Sequence, residues 1–219
     1  MDDLALLARS ELFSAFDSES LERVLSASTT ITGDRGLALF AEGDDADDLY
    51  VVRAGRVAVG RRSPDGRESL VALMESGDLF GDMPLFDGGT RSASARLLEA
   101  SELLRIPYGP VKAAIDDHPA LLWDVVTLLT GRLRATDSAL ADAVFLDVTG
   151  RTAKRLLELA GDADDFQLPI TQEELAGLVG ASRERVNKAI AAFIRLGWIE
   201  QYDRRYRVVH RDRLTQRAR

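Results

Sequence analysis

PALLWDVVTLLTGRLRATDSALADAVF, residues 119–145, is the segment from which the rest of the chain can be laid out. Leu122, Val126, Leu129, Leu133, Thr136, Leu140 and Ala143 recur in steps of four and three. On a helix they form one narrow stripe, not a broad core-facing surface, and such a stripe is a seam for a partner helix. Pro119 suits a first helical turn, where its missing N–H costs nothing, and Phe145 runs into Leu146-Asp147-Val148-Thr149-Gly150, a hinge with a new cap. The spacing predicts one helix over residues 119–145, about 40 Å long at 1.5 Å per residue. Thr136 interrupts the stripe with a hydroxyl and is followed by Asp137. The pattern leaves open whether that hydroxyl fixes register or touches a ligand.

On the C-terminal side, Ala153, Leu156, Leu157, Leu159 and Ala160 give a helix whose apolar face starts a second core. Asp162-Ala163-Asp164-Asp165 reads as a loop and Phe166-Gln167-Leu168 as a short strand. Thr171-Gln172-Glu173-Glu174 has the form of a capping box, so a helix to Val179 follows. Gly180-Ala181 makes a turn, and Ser182 caps a second helix over residues 183–196 that Gly197 closes. Ala176, Gly180 and Val186 have the spacing of a helix-turn-helix: a small residue at the crossing, a glycine in the turn, an apolar residue inside the angle. With Val186, Ala189, Ile190 and Phe193 facing the core, Arg183, Glu184, Asn187 and Lys188 are left outside near the helix start, where a recognition helix meets base edges. Arg can bind guanine O6 and N7 together, Glu can accept from cytosine N4, and Lys can reach another guanine. Residues 198–201 and 206–209 around Asp203-Arg204-Arg205 read as a hairpin wing with arginines for phosphate.

On the N-terminal side the texture changes twice. Residues 4–29 read as two short helices, with Leu4, Leu7, Leu12, Phe13, Phe16, Leu21, Val24 and Leu25 packing and Asp17 or Ser18 as a cap. From Thr30 onward, short alternations such as Leu49-Tyr50-Val51-Val52, Arg56-Val57-Ala58-Val59 and Leu70-Val71-Ala72-Leu73 are punctuated by glycines. This predicts an antiparallel roll or barrel of about eight strands, with Pro64-Asp65-Gly66 as a turn. The run Asp44-Asp45-Ala46-Asp47-Asp48 fails as a calcium loop of the EF-hand type, which wants Gly at its sixth position and Glu at its twelfth. Counted from Asp44 those are Leu49 and Gly55, so the run reads as a solvated loop. Between Phe80 and Ala95, Gly81 permits close backbone approach and Gly88-Gly89 a sharp turn, while Arg91-Ser92-Ala93 offers a guanidinium beside consecutive N–H donors. That combination can hold a phosphate.

Composition narrows the function. The 219 residues carry a net charge of −8, unevenly spread: residues 1–150 hold 14 basic and 26 acidic side chains, residues 182–219 hold 11 basic and 4 acidic. An acidic front with a basic tail suits a sensor attached to a DNA-binding end. The absence of cysteine excludes disulfides, thiolate metal sites, iron–sulfur clusters and cysteine nucleophiles. No positively charged leader or long apolar run is present, so a cytoplasmic protein without a membrane span is expected. No P-loop, Gly-x-Ser-x-Gly or His-Glu-x-x-His motif occurs, and His118 and His210 lie far apart, which opposes an enzyme.

The order Phe80-Gly81-Asp82, a turn, then Arg91-Ser92-Ala93 resembles the phosphate-binding cassette of cyclic-nucleotide-binding domains, and Ala41-Glu42-Gly43-Asp44 with Leu49-Tyr50-Val51-Val52-Arg53-Ala54-Gly55 is similar to that fold's early strands. Roll, long helix and winged helix-turn-helix in this order resemble the CRP/FNR superfamily of bacterial transcription regulators across almost the whole chain. Residues 145–157 and 171–197 look closest to its cyclic-AMP receptor protein branch. The resemblance implies an α+β fold with a β-roll sensor over residues 1–118, a dimerisation helix over 119–146 and a winged helix-turn-helix over 147–219. It implies a homodimer through residues 122–143, cyclic AMP as allosteric ligand with no covalent or metal cofactor, and RNA polymerase as a partner. The DNA target it implies is a double-stranded palindromic site whose half resembles TGTGA.

By position, Arg91, Ser92 and Ala93 would hold the cyclic phosphate, Gly81 and Asp82 the ribose side, and Thr136 with Asp137 the adenine, partly across the dimer. Arg183, Glu184 and Lys188 would read bases, with Ser182, Arg185 and Asn187 completing the DNA-binding set. Four positions depart from the branch. Asp82 stands where it has Glu, losing about 1.5 Å of reach. Asp137 replaces an uncharged Ser or Asn, placing a carboxylate near an anionic ligand. Lys188 replaces an Arg, turning a bidentate contact into a point charge, and Arg185 replaces a small residue. Two rivals remain as expectations to test: a regulator responding to another nucleotide or to none, and a cyclic-nucleotide enzyme.

Overall fold

The alternation Leu49-Tyr50-Val51-Val52 becomes the central strand of the roll, β3 (Asp48–Ala54). Successive side chains of a strand point to opposite faces. Leu49 and Val51 accordingly enter a core shared with Leu7, Phe13 and Val24, whereas Tyr50 and Val52 enter a second core with Val57, Phe80 and Ala95. The computed structural model describes residues 2–63, 68–203 and 205–219; the Pro64-Asp65-Gly66 turn and Arg204 of the wing lie outside the described residues.

Two four-stranded antiparallel sheets build the roll. One has the order β1 (Thr29–Gly33), β8 (Ser101–Pro107), β3, β6 (Leu79–Phe80); the other β2 (Ala38–Phe40), β7 (Ser94–Leu97), β4 (Val57–Arg62), β5 (Glu68–Met74). The helices α1 (Asp3–Leu7), α2 (Ser18–Ser26) and α4 (Tyr108–Asp117) supply Leu6, Leu21 and Val111 to the core on the Leu49 face. Asp17 caps α2, accepting from the Ser20 N–H at 2.7 Å. Residues 8–17 are turns, not helix: the buried Ser10 donates its hydroxyl to the Leu7 carbonyl at 2.9 Å, giving the backbone a local alternative to continuing α1. Within β6–β7, the short helix α3 (Met83–Asp87) closes on Gly88, which adopts φ 67°.

The long helix is shorter than its sequence suggests. Pro119–Leu121 forms a 3-10 turn and α5 proper spans Leu122–Phe145, 24 residues and about 36 Å. His118, at φ −131° and ψ 76°, shows why: a residue before proline is pushed out of the helical region. Leu121 and Val125 turn into the roll's core. The seam residues Leu122, Val126, Leu129, Leu133 and Leu140 are 38% to 64% exposed, a row of large apolar side chains facing outward.

By its internal contacts the chain divides into two compact units, residues 1–66 with 71–133 and residues 67–70 with 134–219. In the second, Asp147 caps α6 (Val148–Ala160) through the Gly150 N–H at 2.8 Å. The capping box forms as expected and opens α7 (Gln172–Val179): Thr171 N–H meets Glu174 Oε2 at 2.7 Å and Glu174 N–H meets Thr171 Oγ1 at 3.2 Å. Gly180 turns the chain at φ 67° into α8 (Arg183–Arg195), capped by Ser182. The wing hairpin β10 (Ile199–Tyr202) and β11 (Arg205–Val208) gains a third strand, β9 (Asp165–Gln167), and α9 (Arg211–Arg217) ends the chain's elements.

Candidate functional site

Two clusters of charge stand out, one inside the roll and one on α8. The turn after α3 returns the chain as Arg91, whose side chain is 4% exposed. Its Nη2 donates to Asp48 Oδ1 at 2.6 Å, and its Nη1 to the Asp48 and Gly81 carbonyls, each at 2.8 Å. The guanidinium carbon stands 4.1 Å from the centre of the Phe40 ring, with the Tyr50 ring beyond it at 5.7 Å. Tyr108 donates its hydroxyl to the Gly81 carbonyl. Gly81 itself has φ +79°, and a Cβ there would meet Arg91 Nη1 at 2.7 Å, so the approach requires glycine. Among the described residues, buried Arg91 Nε has no hydrogen-bond partner.

Asp48 is the counter-charge. Burial pushes its carboxyl up, but hydrogen bonds from Arg105 and Tyr50, the Arg105 charge and the Arg91 hydrogen bond outweigh this and hold it below the usual range. Tyr50 is pushed up to about 12 by burial first and the Asp48 charge second, and Tyr108 to about 12, chiefly by burial. At neutral pH the cluster is therefore one carboxylate between two guanidiniums, with neutral phenols around it. This overturns the solvated reading of the acidic run at its last residue: Asp44, Asp45 and Asp47 are exposed, whereas Asp48 is buried as the first residue of β3.

The remaining expected ligand contacts divide. Asp82 is buried, and Arg132 of α5 grips both its oxygens through Nη1 at 2.9 Å each, with Nη2 3.3 Å from the Leu79 carbonyl. Ala93 is buried beside Arg91, while Ser92 is exposed and its hydroxyl lies 3.4 Å from Met83 Sδ. Thr136 and Asp137 are on the exposed side of α5. A cavity of about 440 Å³ opens beside Arg132, lined by Arg9, Glu11, Asp78 and Leu79 among others. Arg91 does not line it. The protein's own groups hold Nη1 and Nη2 of that guanidinium.

On α8, Val186, Ala189, Ile190 and Phe193 are buried as expected, and Ser182, Arg183, Glu184, Arg185, Asn187 and Lys188 are exposed. Lys188 Nζ lies 2.7 Å from Glu184 Oε1, four residues earlier; hydrogen bonding and the Lys188 charge hold the Glu184 carboxyl below its usual value. The helix pair is locked from behind by α6: Arg151 Nε donates to the Val179 carbonyl at 2.9 Å and Arg155 Nε to that of Leu178 at 3.3 Å, capping the end of α7. A groove of about 260 Å³ runs beside α8, lined by Asp147, Val148, Thr149, Arg185 and Lys188 among others.

Residues 34–118 match the cyclic nucleotide-binding domain family and residues 150–217 the Crp-like helix-turn-helix domain family. The CRP-like cAMP-activated global transcriptional regulator of Mycobacterium tuberculosis is 38% identical, with both chains covered in full. The chain belongs to the CRP/FNR superfamily, in its CRP-like branch. Among solved structures, the catabolite activator protein of Thermus thermophilus is 33% identical, over 95% of this chain and 98% of that one, with a TM-score of 0.55. The c-di-GMP responsive global regulator CLP of Xanthomonas campestris is 28% identical over 88% and 99%, with a TM-score of 0.75. This CRP-like chain is thus a DNA-binding transcription regulator with a cyclic-nucleotide domain. Among its described residues no helix is long and apolar enough to cross a membrane, and no group of three or more His, Asp or Glu could hold a metal ion.

Sequence reasoning missed Asp48, Arg105, Tyr108 and Arg132. Two of these had a signal. Asp48 precedes Tyr50 by two, so strand periodicity puts it on the Tyr50 face. Arg132 lies four residues after the buried Leu128 and four before Thr136, on a flank of the helix between roll and seam. Arg105 needed the β3–β8 register, which pairs it with Tyr50, and Tyr108 needed the tertiary fold.

Proposed function

We propose that this chain is a cytoplasmic homodimer, without catalytic activity, that binds a palindromic DNA site with TGTGA-like halves when cyclic AMP occupies the roll. Its three parts are a sensor over residues 1–118, a dimerisation helix over 119–146 and a DNA-binding end over 147–219. The observation that carries the ligand reading is Arg91 Nε, a buried donor on a charged group with no acceptor among the described residues. Such a group bears a desolvation cost that a phosphate oxygen would relieve. Ser92 and the backbone at Ala93 would complete the phosphate's shell, Gly81 and Asp82 would face the ribose, and Thr136 with Asp137 the base. Asp82 is reachable only as Arg132 yields its grip, so ligand entry exchanges partners on α5.

A ligand shifts conformation only by its differential affinity for the two states. Here that difference would arise at Arg132 and along the paired α5 helices, bringing two recognition helices to about one DNA turn, some 34 Å apart. Arg183, Glu184 and Lys188 would read bases, and Ser182, Arg185 and Asn187 would support them, with RNA polymerase recruited by the bound dimer. The pairing of Arg91 with the buried Asp48 favours a second reading, in which another nucleotide is the signal or none is needed. Calorimetric titration with cyclic AMP, cyclic GMP and cyclic di-GMP separates the two. Cyclic AMP is expected to bind at one site per chain and raise affinity for the palindrome; heat from another nucleotide alone, or from none, would replace the cyclic AMP assignment.

A further inference from the structure

Asp137 is the seam's odd residue. It is exposed, it is charged, and it directly follows the hydroxyl that interrupts the apolar stripe. If the steps of three and four along α5 are written as a heptad, Val126, Leu133 and Leu140 take position a and Leu122, Leu129, Thr136 and Ala143 position d. Arg132 then falls at g and Asp137 at e. In a parallel pair of helices the residue at g faces the residue at e of the partner five positions further on, and those positions set partner choice through charge. Within one helix the same two residues are about 140° apart around the axis and cannot meet, because neighbours on a helix surface are three or four apart.

We propose that Asp137 forms an ion pair with Arg132 of a second copy of this chain, twice per dimer, and that Arg132 is shared between this pair and Asp82 of its own roll. The inference rests on the homodimer reading and gives Asp137 a further contact, the partner's guanidinium, beside the nucleotide base. Charge complementarity supports it: Arg132 holds Asp82 through Nη1, its Nη2 stands 3.3 Å from the Leu79 carbonyl and 3.9 Å from Glu11 Oε2, and its side chain is 35% exposed on the flank of α5 next to the seam. An antiparallel pair would set g against g and e against e, bringing like charges together. One guanidinium thereby meets the pocket carboxylate of its own chain and the seam carboxylate of the other, so occupancy of Asp82 is felt directly by the partner helix.

The test is a charge swap between differently tagged copies of the full chain. Asp137→Arg homodimers place Arg opposite Arg132, and Arg132→Asp homodimers place Asp opposite Asp137, so both are repelled. The mixed dimer restores both pairs, one in its native sense and one with its signs exchanged. Native mass spectrometry after mixing is expected to show about four-fifths mixed dimer, given the modest strength of each partly exposed pair. Random pairing at one half overturns the inference. Asp137→Asn, which keeps shape and helix content, is expected to raise the dimer dissociation constant about threefold; an unchanged constant also overturns it. Leu133→Asp tests the parent reading separately, because an intact dimer in that variant would remove the α5 seam altogether.

Discussion

Arg91 in the roll and Arg183 on α8 are the same side chain put to opposite uses. Arg91 is buried, and its charge is spent on Asp48, two carbonyls and a phenyl face. Arg183 is exposed on the helix surface, one residue after the cap of α8. A buried charge is held by partners that cannot be removed singly without leaving another charge stranded, whereas an exposed one costs the fold nothing and is open to a macromolecule. The roll is accordingly the place where substitutions should move stability and ligand binding together. On α8 they should move DNA affinity alone.

Asp48→Asn should break the contrast most severely. It leaves the Arg91 guanidinium buried without a counter-charge, a change expected to cost about 3 to 5 kcal/mol in urea unfolding. Saturating cyclic AMP should recover part of that loss, since a ligand that binds only the folded state stabilises it and its phosphate replaces the missing charge. A loss below about 1 kcal/mol would mean that Asp48 is dispensable to the Arg91 seat. The pH dependence has a fixed sign. The Asp48 carboxyl titrates below its unfolded value, so its contribution is complete above about pH 4 and disappears as pH falls through the folded value. Asp48→Asn should therefore flatten the acid limb of the stability profile and leave the neutral region parallel to the parent.

Arg183→Ala should produce the next largest effect and none on folding. If Arg183 reads a guanine, binding to the palindrome weakens by about 1 to 3 kcal/mol while binding to random duplex hardly changes. Weakening by the same factor on both sequences would move Arg183 to a phosphate. Lys188 is a useful companion, because its ammonium is engaged by Glu184 at 2.7 Å and must leave that carboxylate to reach DNA.

Local signals in the sequence are legible and long-range ones are not, for a physical reason. The capping box at Thr171 and Glu174, the turn at Gly180 and the core face of α8 depend on residues within four positions of one another, and all appear where the spacing puts them. The α5 stripe is likewise a local period and emerges as an exposed apolar row. The helix starts later than its period suggests because Pro119 constrains the residue before it as well as the turn after it. The cluster around Arg91 was only half legible. Its partners come from β3, β8 and α4, which are 43, 14 and 17 positions away, and nothing in the run at residues 44–48 distinguishes the buried Asp48 from its solvated neighbours except strand parity. Asp82 was found from its motif, but its partner Arg132 lies 50 positions on and is fixed only by how α5 packs on the roll.

The smallest effects compare two caps within the helix-turn-helix. Thr171 Oγ1 accepts from Glu174 N–H at 3.2 Å and is reciprocated by a Glu174 side chain that is itself buried. Ser182 Oγ is 3.4 Å from Arg185 N–H on an exposed helix start, close to the limit at which such a contact counts as a hydrogen bond. Thr171→Ala should therefore destabilise the second unit by about 1 kcal/mol, with DNA affinity following only through folding. Ser182→Ala should cost less, about 0.5 kcal/mol, at the low end for a cap. If Ser182 also contacts a phosphate, that variant should in addition weaken palindromic and random DNA alike, because a phosphate contact carries no sequence information. Equal stability losses from the two variants, measured by urea unfolding, would show that the long contact at Ser182 is as strong as the reciprocal one at Thr171. A loss of DNA binding confined to the palindrome would instead place the Ser182 hydroxyl among the groups that read sequence.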